Sequence, residues 1–413
     1  SVIFLAEHSG IEIELSESYG GSNDTAQQLI TIHEQASKIF VDNFNTNDGK
    51  KIYSHLLSRG LSEETIKTFN LGYSINETQQ LLTYFQNQKY SSDALLKCGL
   101  FVDTKRGYID RFKGRIIFPI QNPTGKVIAF SGRTFKDTKI AKYVNSPETP
   151  IYHKSNVLYG LHHSKHYIRT LKSAVVVEGY FDYLQLFQSG INNVVAISGT
   201  AFTNKHAQLL RRYTNNIFLA YDGDKAGVAA AIKAGYILLK HGHDAKIINL
   251  PKDIDPDDWV HKEGPAPFKK AMEDSSNIIN FHIENTQFDT TTESGKFNFI
   301  EEALNEISQI EDPVYRELQL QSLSNVSQVS ESSIYEKLNK IINAKTKYKK
   351  PVEPKLKSTS DLKASINLVQ EELIKLCFVK DLNVRILIFK NLDKEWITIK
   401  KLEDLYDIIY IHL

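Results

Sequence analysis

The sequence predicts an α/β protein in which a parallel sheet is preceded by an α+β region and followed by a helical bundle. Three observations predict it. Residues 173 to 250 alternate β-branched runs with helical stretches over short connections, as parallel strands joined by crossover helices do. Residues 99 to 134 have the texture of short strands joined by a turn. Before and after these two regions the apolar spacing is helical.

Along the chain, residues 1–24 begin apolar and decay into "ESYGGSND", which reads as a linker. "AQQLITIHEQASKIFVDNF" is one amphipathic helix and "GKKIYSHLLSRG" a second, stopped at Gly60, after which Ser62 caps "EETIKTFN". "RIIFPI" and "GKVIAFSGR" are strands joined by a turn at Asn122–Gly125. Strand "AVVVE" leads to a helix over 180–189. Strand "NVVAIS", helix "NKHAQLLRRY", strand "NIFLAYD", helix "KAGVAAAIKAGYILLKHG" and strand "AKIINL" follow. From Pro256 to about Ala344 everything reads as helix. "KTKYKKPVEPKLKSTS", with two prolines and almost no apolar residue, is a linker, and a last helical segment starts near Asp361. The expected segments are 1–24 (linker), 25–172 (α+β), 173–258 (parallel α/β), 259–344 (helical), 345–360 (linker) and 361–413 (helical).

At 413 residues the chain has room for two or three domains, and its 41% hydrophobic and 24% charged residues are ordinary for a globular protein. The net charge of +1 does not point to nucleic acid, but its distribution does. Between Lys105 and Lys172 there are 14 Lys or Arg against three acids, Asp110, Asp137 and Glu148. Such a block is either a solvated face or a footprint for an anionic polymer. Two cysteines, Cys98 and Cys377, give no disulfide framework and no Cys-based zinc site, and they suit a reducing cytoplasm. No membrane-spanning run and no secretory signal is present, so a cytoplasmic protein without a membrane partner is expected. The start at Ser1 and the stop after "IIYIHL" lead us to expect part of something longer.

In an open α/β sheet, ligands bind outside the carboxyl ends of the strands. Glu178 ends the first strand of the parallel unit there, and Asp222 ends "IFLAYD", with Asp224 two residues on across a glycine. A third group, Asp253, Asp255, Asp257 and Asp258 of "DIDPDD", follows "AKIINL". Acids after strands are often plain turn formers. Three clusters at one sheet edge would repel one another unless cations sit between them, and hard oxygen donors suit Mg²⁺. Asp182, one helical turn after Glu178, either faces the same site or caps its helix.

E-G-Y-F-D at 178–182 and D-G-D at 222–224, in this α/β setting, resemble the Toprim domain shared by primases, topoisomerases and some nucleases. "RFKGRIIFPIQNPTGKVIAFSGR", "KYVNSPETPIYHKSNVLYGL" and "NIFLAYDGDKAG" narrow this, because they resemble the RNA polymerase core of bacterial-type replicative primases from about Thr25 to Phe281. The fold class implied is α/β Toprim, a Rossmann-like parallel sheet, between an α+β subdomain and a helical bundle.

The resemblance implies Mg²⁺-dependent joining of nucleoside triphosphates (NTPs) into a short RNA primer on a single-stranded DNA template, with Mn²⁺ as an alternative metal. It carries metal binding over to Glu178, Asp222 and Asp224, and a further metal to Asp255 and Asp257, with Asp182 a candidate sixth ligand. Glu178 is either a ligand or a general base. Arg59, Arg133, Lys142, Tyr143, Asn145 and Lys154 match the family's basic ridge and are implied to meet nucleic acid or NTP. The plainer alternative for each lysine is a solvated charge, and for Tyr143 a partly buried core ring. Arg115 and Lys113 flank a strand and fit either role. The family's zinc ribbon has no counterpart here, and residues 1–20 resemble the exit from it. Residues 361–413 resemble the beginning of the family's domain for binding the replicative helicase. A Toprim topoisomerase or nuclease fragment is the competing expectation.

Overall fold

The β-branched run at 173–177 becomes the strand next to one edge of a five-stranded sheet, which the computed structural model describes together with most of the chain. The described residues are 20–348, except 89 and 136–140, with four isolated positions beyond, Ile397, Leu402, Asp404 and Tyr406. The chain divides into two compact units, Ser1–Leu338 and Asn339–Leu413, and the first carries all eleven strands of the described residues.

The N-terminal half opens with helix Gly20–Asp42, followed by helices Asn47–Ser58 and Glu63–Thr68. Ser62 caps the last of these by accepting from the Thr65 amide, as the sequence predicts. Strands β1 (Gly72–Ser74), β2 (Phe101–Thr104), β3 (Gly107–Asp110), β4 (Arg115–Gln121), β5 (Val127–Arg133) and β6 (Tyr143–Asn145) come next. β2 and β3 form a separate hairpin, while β1, β4, β5 and β6 make an antiparallel sheet in that order. The turn at Asn122–Gly125 closes by a hydrogen bond from the Gly125 amide to the Asn122 carbonyl.

Strands β7 (Ser173–Val177), β8 (Val194–Ala196), β9 (Asn216–Leu219), β10 (Asp244–Ile247) and β11 (Ser276–Asn277) form the second sheet, in the order β11-β10-β9-β7-β8. β10, β9, β7 and β8 pair in parallel, as expected. Val175, Val176 and Val177 are fully buried, which is why this strand reads as an unbroken apolar run. Helix Asn204–Arg211 packs on helix Lys225–Lys240, and helix Tyr180–Gln188 packs on helix Pro256–Glu263. The sheet is thus covered by two separate helix pairs.

Three expectations need correction or fall outside what is described. Residues 20–24 belong to the first helix rather than to a linker, and helix Glu331–Tyr348 runs into the segment expected as a linker from 345. The region after Pro256 is not wholly helical, because β11 adds an antiparallel edge to β10; two residues are too few to leave a period in the sequence. The rest of the 1–24 and 345–360 linkers, and the helical segment 361–413 apart from the four isolated positions, lie outside the described residues. Among the described residues no helix is long and apolar enough to cross a membrane.

Candidate active site

A cleft of about 530 Å³ opens where the strands of the parallel sheet end, and Glu178, Asp182, Asp222, Asp255 and Asp257 line it. Glu178 follows β7 directly, and the backbone around it is fixed because the Ser198 amide donates to its carbonyl at 3.0 Å. Its Oε1 is buried without a hydrogen-bond partner. Burial raises the pKa of Glu178, and the charges of Asp224 and Asp255 raise it further, against a hydrogen bond from the Asp222 amide. Burial also raises Asp222, with Asp255, Glu178, Asp224 and Asp257 adding to the effect, and its pKa reaches about 7. Asp255 is raised by burial and by Asp257 and Asp258, while Lys142 opposes the shift. These carboxylates share one field.

The D-G-D turn depends on Gly223. A Cβ there would lie 2.5 Å from the Pro251 carbonyl oxygen, so only glycine lets the loop after β10 approach. Asp224 stands at the N-cap of helix Lys225–Lys240, where its Oδ1 accepts from the Gly227 amide at 2.7 Å. It does not line the cleft directly, although its charge is felt by Glu178 and Asp222.

The question left open for Asp182 is answered by its partners. Oδ2 accepts from the Gly179 amide at 2.9 Å and Oδ1 from the Asp257 amide at 3.2 Å. Both oxygens therefore hold backbone. Burial, with Asp257 and Asp222 nearby, raises its pKa well above the usual carboxylate range. Asp257 is likewise engaged: its Oδ1 accepts from the Asp258 amide, and its Oδ2 pairs with Arg59 Nη2 at 3.2 Å.

Of the basic residues, Arg59, Arg133 and Lys142 reach the cleft, and Tyr143 lines it with them. Gln185 and Gln188 hold the Arg59 loop by donating to the Arg59 and Gly60 carbonyls. The guanidinium carbons of Arg59 and Arg133 lie 4.9 and 4.8 Å from the centroid of the Phe181 ring, a cation–π pair that keeps both cations at the cleft wall. Tyr143 is half-buried beside Tyr180 and Phe118, with burial raising its phenol.

Four candidates, Arg115, Asn145, Lys154 and Lys113, are not gathered there. Arg115 is buried and donates from Nη1 to the carbonyls of Gly132, Ala141 and Lys142, so it supports the Lys142 backbone. Asn145 spends its amide internally, donating to the Ser198 carbonyl and accepting from the Tyr180 hydroxyl. Lys154 does not line the cleft, although its backbone carbonyl meets the His206 ring and is thereby tied to the first turn of helix Asn204–Arg211. Lys113 points to Thr78 instead.

Sequence reasoning missed the other side of the cleft. Ile197 to Phe202, Tyr221, Ala230, Lys233 and Ala234 line it. The signal available was the pair of alanines four residues apart flanking Lys233, which leaves a helix face without bulk.

The donors present are carboxylate oxygens, the ligands that hard divalent cations take. Glu178 Oε1 is left without a partner, and burial together with mutual repulsion raises Glu178, Asp222 and Asp255, with Lys142 opposing only the Asp255 shift. A divalent cation fits this set. Among the described residues no three such side chains already converge on one point, so the fit rests on donor chemistry and charge.

The "DNA primase catalytic core, N-terminal domain" family matches residues 39–165, "Toprim-like" matches 175–260, and "DnaB-helicase binding domain of primase" matches 283–332. The last match falls before residues 361–413, where sequence resemblance places the start of that domain. The DNA primase of Clostridium acetobutylicum is 36% identical over 341 residues, covering 81% of this chain and 56% of that protein. The DNA primase of Listeria monocytogenes is 31% identical over 342 residues, 80% of this chain and 55% of that protein. The chain thus spans a little over half the length of these relatives.

Among solved structures, a DNA primase domain from Pseudomonas aeruginosa superimposes with a TM-score of 0.69 at 32% identity, covering 75% of this chain and 98% of that one. A DnaG primase catalytic domain bound to single-stranded DNA gives 0.68 at 34% identity, with 75% and 99% covered. These matches do not favour the topoisomerase or nuclease alternative, and Toprim membership carries divalent-metal use with it. Three domain matches in chain order, and 34% identity across nearly the whole of a primase catalytic domain, show that this chain belongs to the bacterial DNA primase family.

Proposed function

We propose that this chain is the polymerising part of a primase, joining NTPs into a short RNA primer on single-stranded DNA with Mg²⁺ as the metal. One observation carries the reading: the carboxylates Glu178, Asp222 and Asp255, with Glu178 Oε1 buried and unpartnered, share a cleft with Arg133 and Lys142. Anions that hold a cation and cations that hold phosphate are both needed for nucleotidyl transfer, and neither alone specifies it. Glu178, Asp222 and Asp224 would hold the metal, with Asp255 serving a further ion, while Asp257, its oxygens held by the Asp258 amide and Arg59, would hold its place beside them. A divalent cation there would neutralise phosphate charge and lower the pKa of the attacking 3′-hydroxyl.

The chain's own side chains do the rest. Lys142 and Arg133 orient phosphates of template or nucleotide, and the half-buried Tyr143 offers a ring edge beside them. Asp182 holds the Asp257 backbone in register with the end of β7, so it positions ligands without being one. Arg115 and Asn145 act as supports for Lys142 and for the loop after β8.

Two features support the partners. A similar primase catalytic domain is bound to single-stranded DNA, and residues 283–332 match a domain named for binding the DnaB helicase. The test is ribonucleotide incorporation on single-stranded DNA with Mg²⁺, run beside DNA relaxation and nuclease controls. Template-dependent RNA synthesis is expected. Relaxation or cleavage of DNA without synthesis would contradict the reading.

A further inference from the structure

The carboxylates are bordered by two walls that differ in chemistry. One carries Arg59, Arg133 and Lys142 from the N-terminal half. The other belongs to the parallel-sheet domain itself, made by the loop after β8 and by helix Lys225–Lys240. Helix Asn204–Arg211, which that loop enters, packs on helix Lys225–Lys240, whereas the Arg59 loop is held by Gln185 and Gln188 of the other helix pair. The two walls are therefore held by different helix pairs.

The second wall is shaped as a shelf with one cation at its edge. Ala230 and Ala234, one turn apart, present only methyl groups, and Phe202 supplies a ring beside them. Lys233 stands between the alanines in sequence, exposed, and makes no ion pair among the described residues. Tyr221, only 4% exposed, lines the same cleft, and its hydroxyl is buried without a hydrogen-bond partner. A buried phenol left unpaired costs stability unless a ligand completes it. An apolar shelf, an unused buried hydroxyl and a single free ammonium fit a nucleoside carrying phosphate.

Beginning a chain from two free nucleotides brings two triphosphates to one centre, and their mutual repulsion is relieved if each has its own cation. We propose that this second wall is the subsite of the nucleotide that supplies the 3′-hydroxyl, with its base or ribose on the Ala230, Ala234 and Phe202 shelf and Lys233 on its 5′-triphosphate. The inference rests on the primase reading above. In the step, the 3′-oxygen of this nucleotide bonds to the α-phosphorus of the nucleotide held by the basic ridge. The α–β phosphoanhydride bond breaks, pyrophosphate leaves, and the hydroxyl proton passes to solvent. An elongating primer presents no 5′-triphosphate at that position, so Lys233 serves initiation alone.

The test compares two reactions of the full chain: dinucleotide formation from NTPs on single-stranded DNA, and elongation of a pre-annealed RNA primer. Lys233→Ala should raise the NTP concentration needed for half-maximal initiation roughly tenfold, the scale of one charged hydrogen bond. Elongation should keep its KM and rate within about twofold on the same grounds, and Lys233→Arg should restore most of the initiation. Lys142→Ala should impair both reactions. Equal effects of Lys233→Ala on both, or none on initiation, would overturn the assignment. Failure of the wild-type chain in both reactions would strike the primase reading instead. The subsite is then read without turnover by calorimetric titration of α,β-methylene GTP. Two sites are expected, one of them weakened roughly tenfold by Lys233→Ala; an isotherm unchanged by the substitution would overturn the proposal.

Discussion

The Asp182 carboxylate accepts the backbone amide of Asp257 at 3.2 Å, so the first acidic stretch of the sheet edge holds the third in place across 75 residues. Its second oxygen holds the Gly179 amide. Asp182→Ala should therefore lower stability by about 1–3 kcal/mol, since two amides lose their acceptor. Asp222→Asn, which removes a charge that its neighbours oppose, should leave metal-free stability equal or higher. Both variants should lose synthesis. Urea denaturation of the two proteins separates support from ligand, and equal stability losses would contradict the division.

Arg115 and Lys142 divide in the same way on the basic side. Arg115→Ala strips one donor from three carbonyls and should cost about 1–3 kcal/mol of stability. Lys142→Ala should leave stability within about 0.5 kcal/mol, as exposed substitutions do. If Lys142 touches template, the log–log salt slope of single-stranded DNA binding should flatten by roughly 0.7. An unchanged slope with a higher NTP requirement would assign Lys142 to triphosphate instead.

The raised pKa of Asp222 gives a pH signature. Its folded-state value of about 7 lies above the ordinary 3.8, so its favourable contribution is complete below about 3.8 and is lost as pH rises through about 7. Without metal, Asp222→Asn should become progressively more stable than wild type over that window, then hold a constant margin. Mg²⁺ should shrink the margin, most at high pH. Thermal unfolding at pH 4, 6 and 8 checks this, and a margin independent of pH would contradict it.

His33 acts in the opposite direction. Burial lowers its pKa from 6.5 to about 4, only partly offset by its bond to the Cys98 carbonyl. The neutral ring's contribution is complete above about 6.5 and is lost as pH falls toward about 4, on the order of 3 kcal/mol. His163 and His282 shift the same way, so the contribution of His33 is read as a difference. His33→Gln should flatten the acid loss between pH 6.5 and 4. An acid limb unchanged by the substitution would assign the loss to the other lowered histidines.

Much of this site was legible because it sits where sequence periodicity is strongest. Glu178, Asp222 and Asp255 each follow a parallel strand, and the period change from strand to helix marks those positions without any structure. Side-chain direction was not legible. Arg115, Arg133 and Lys142 are equally basic in sequence, yet one of them turns inward onto carbonyls because β5 and β6 are hydrogen-bonded neighbours, a pairing that spacing does not reveal. The supporting roles of Asn145 and Asp182 were not legible for the same reason: each bonds an atom more than 50 residues away. Strands β1, β6 and β11, with two or three residues each, are too short to carry a pattern. In sequence Lys233 is one more charge on an alanine-rich helix, and only the placement of that helix at the cleft carries the role proposed for it.

The central claim is that Glu178, Asp222 and their neighbours hold a divalent cation, and the most direct measurement is Mn²⁺ binding followed by electron paramagnetic resonance in the absence of nucleotide and DNA. Wild-type protein should quench the free Mn²⁺ signal at pH 8, more weakly at pH 6, and Mg²⁺ should compete for the same ions. Asp222→Asn should weaken binding at least tenfold while the protein remains folded. Binding by Asp222→Asn and Glu178→Gln that matches wild type would show that the strand-end carboxylates are not the metal site, and the account would fail at its base.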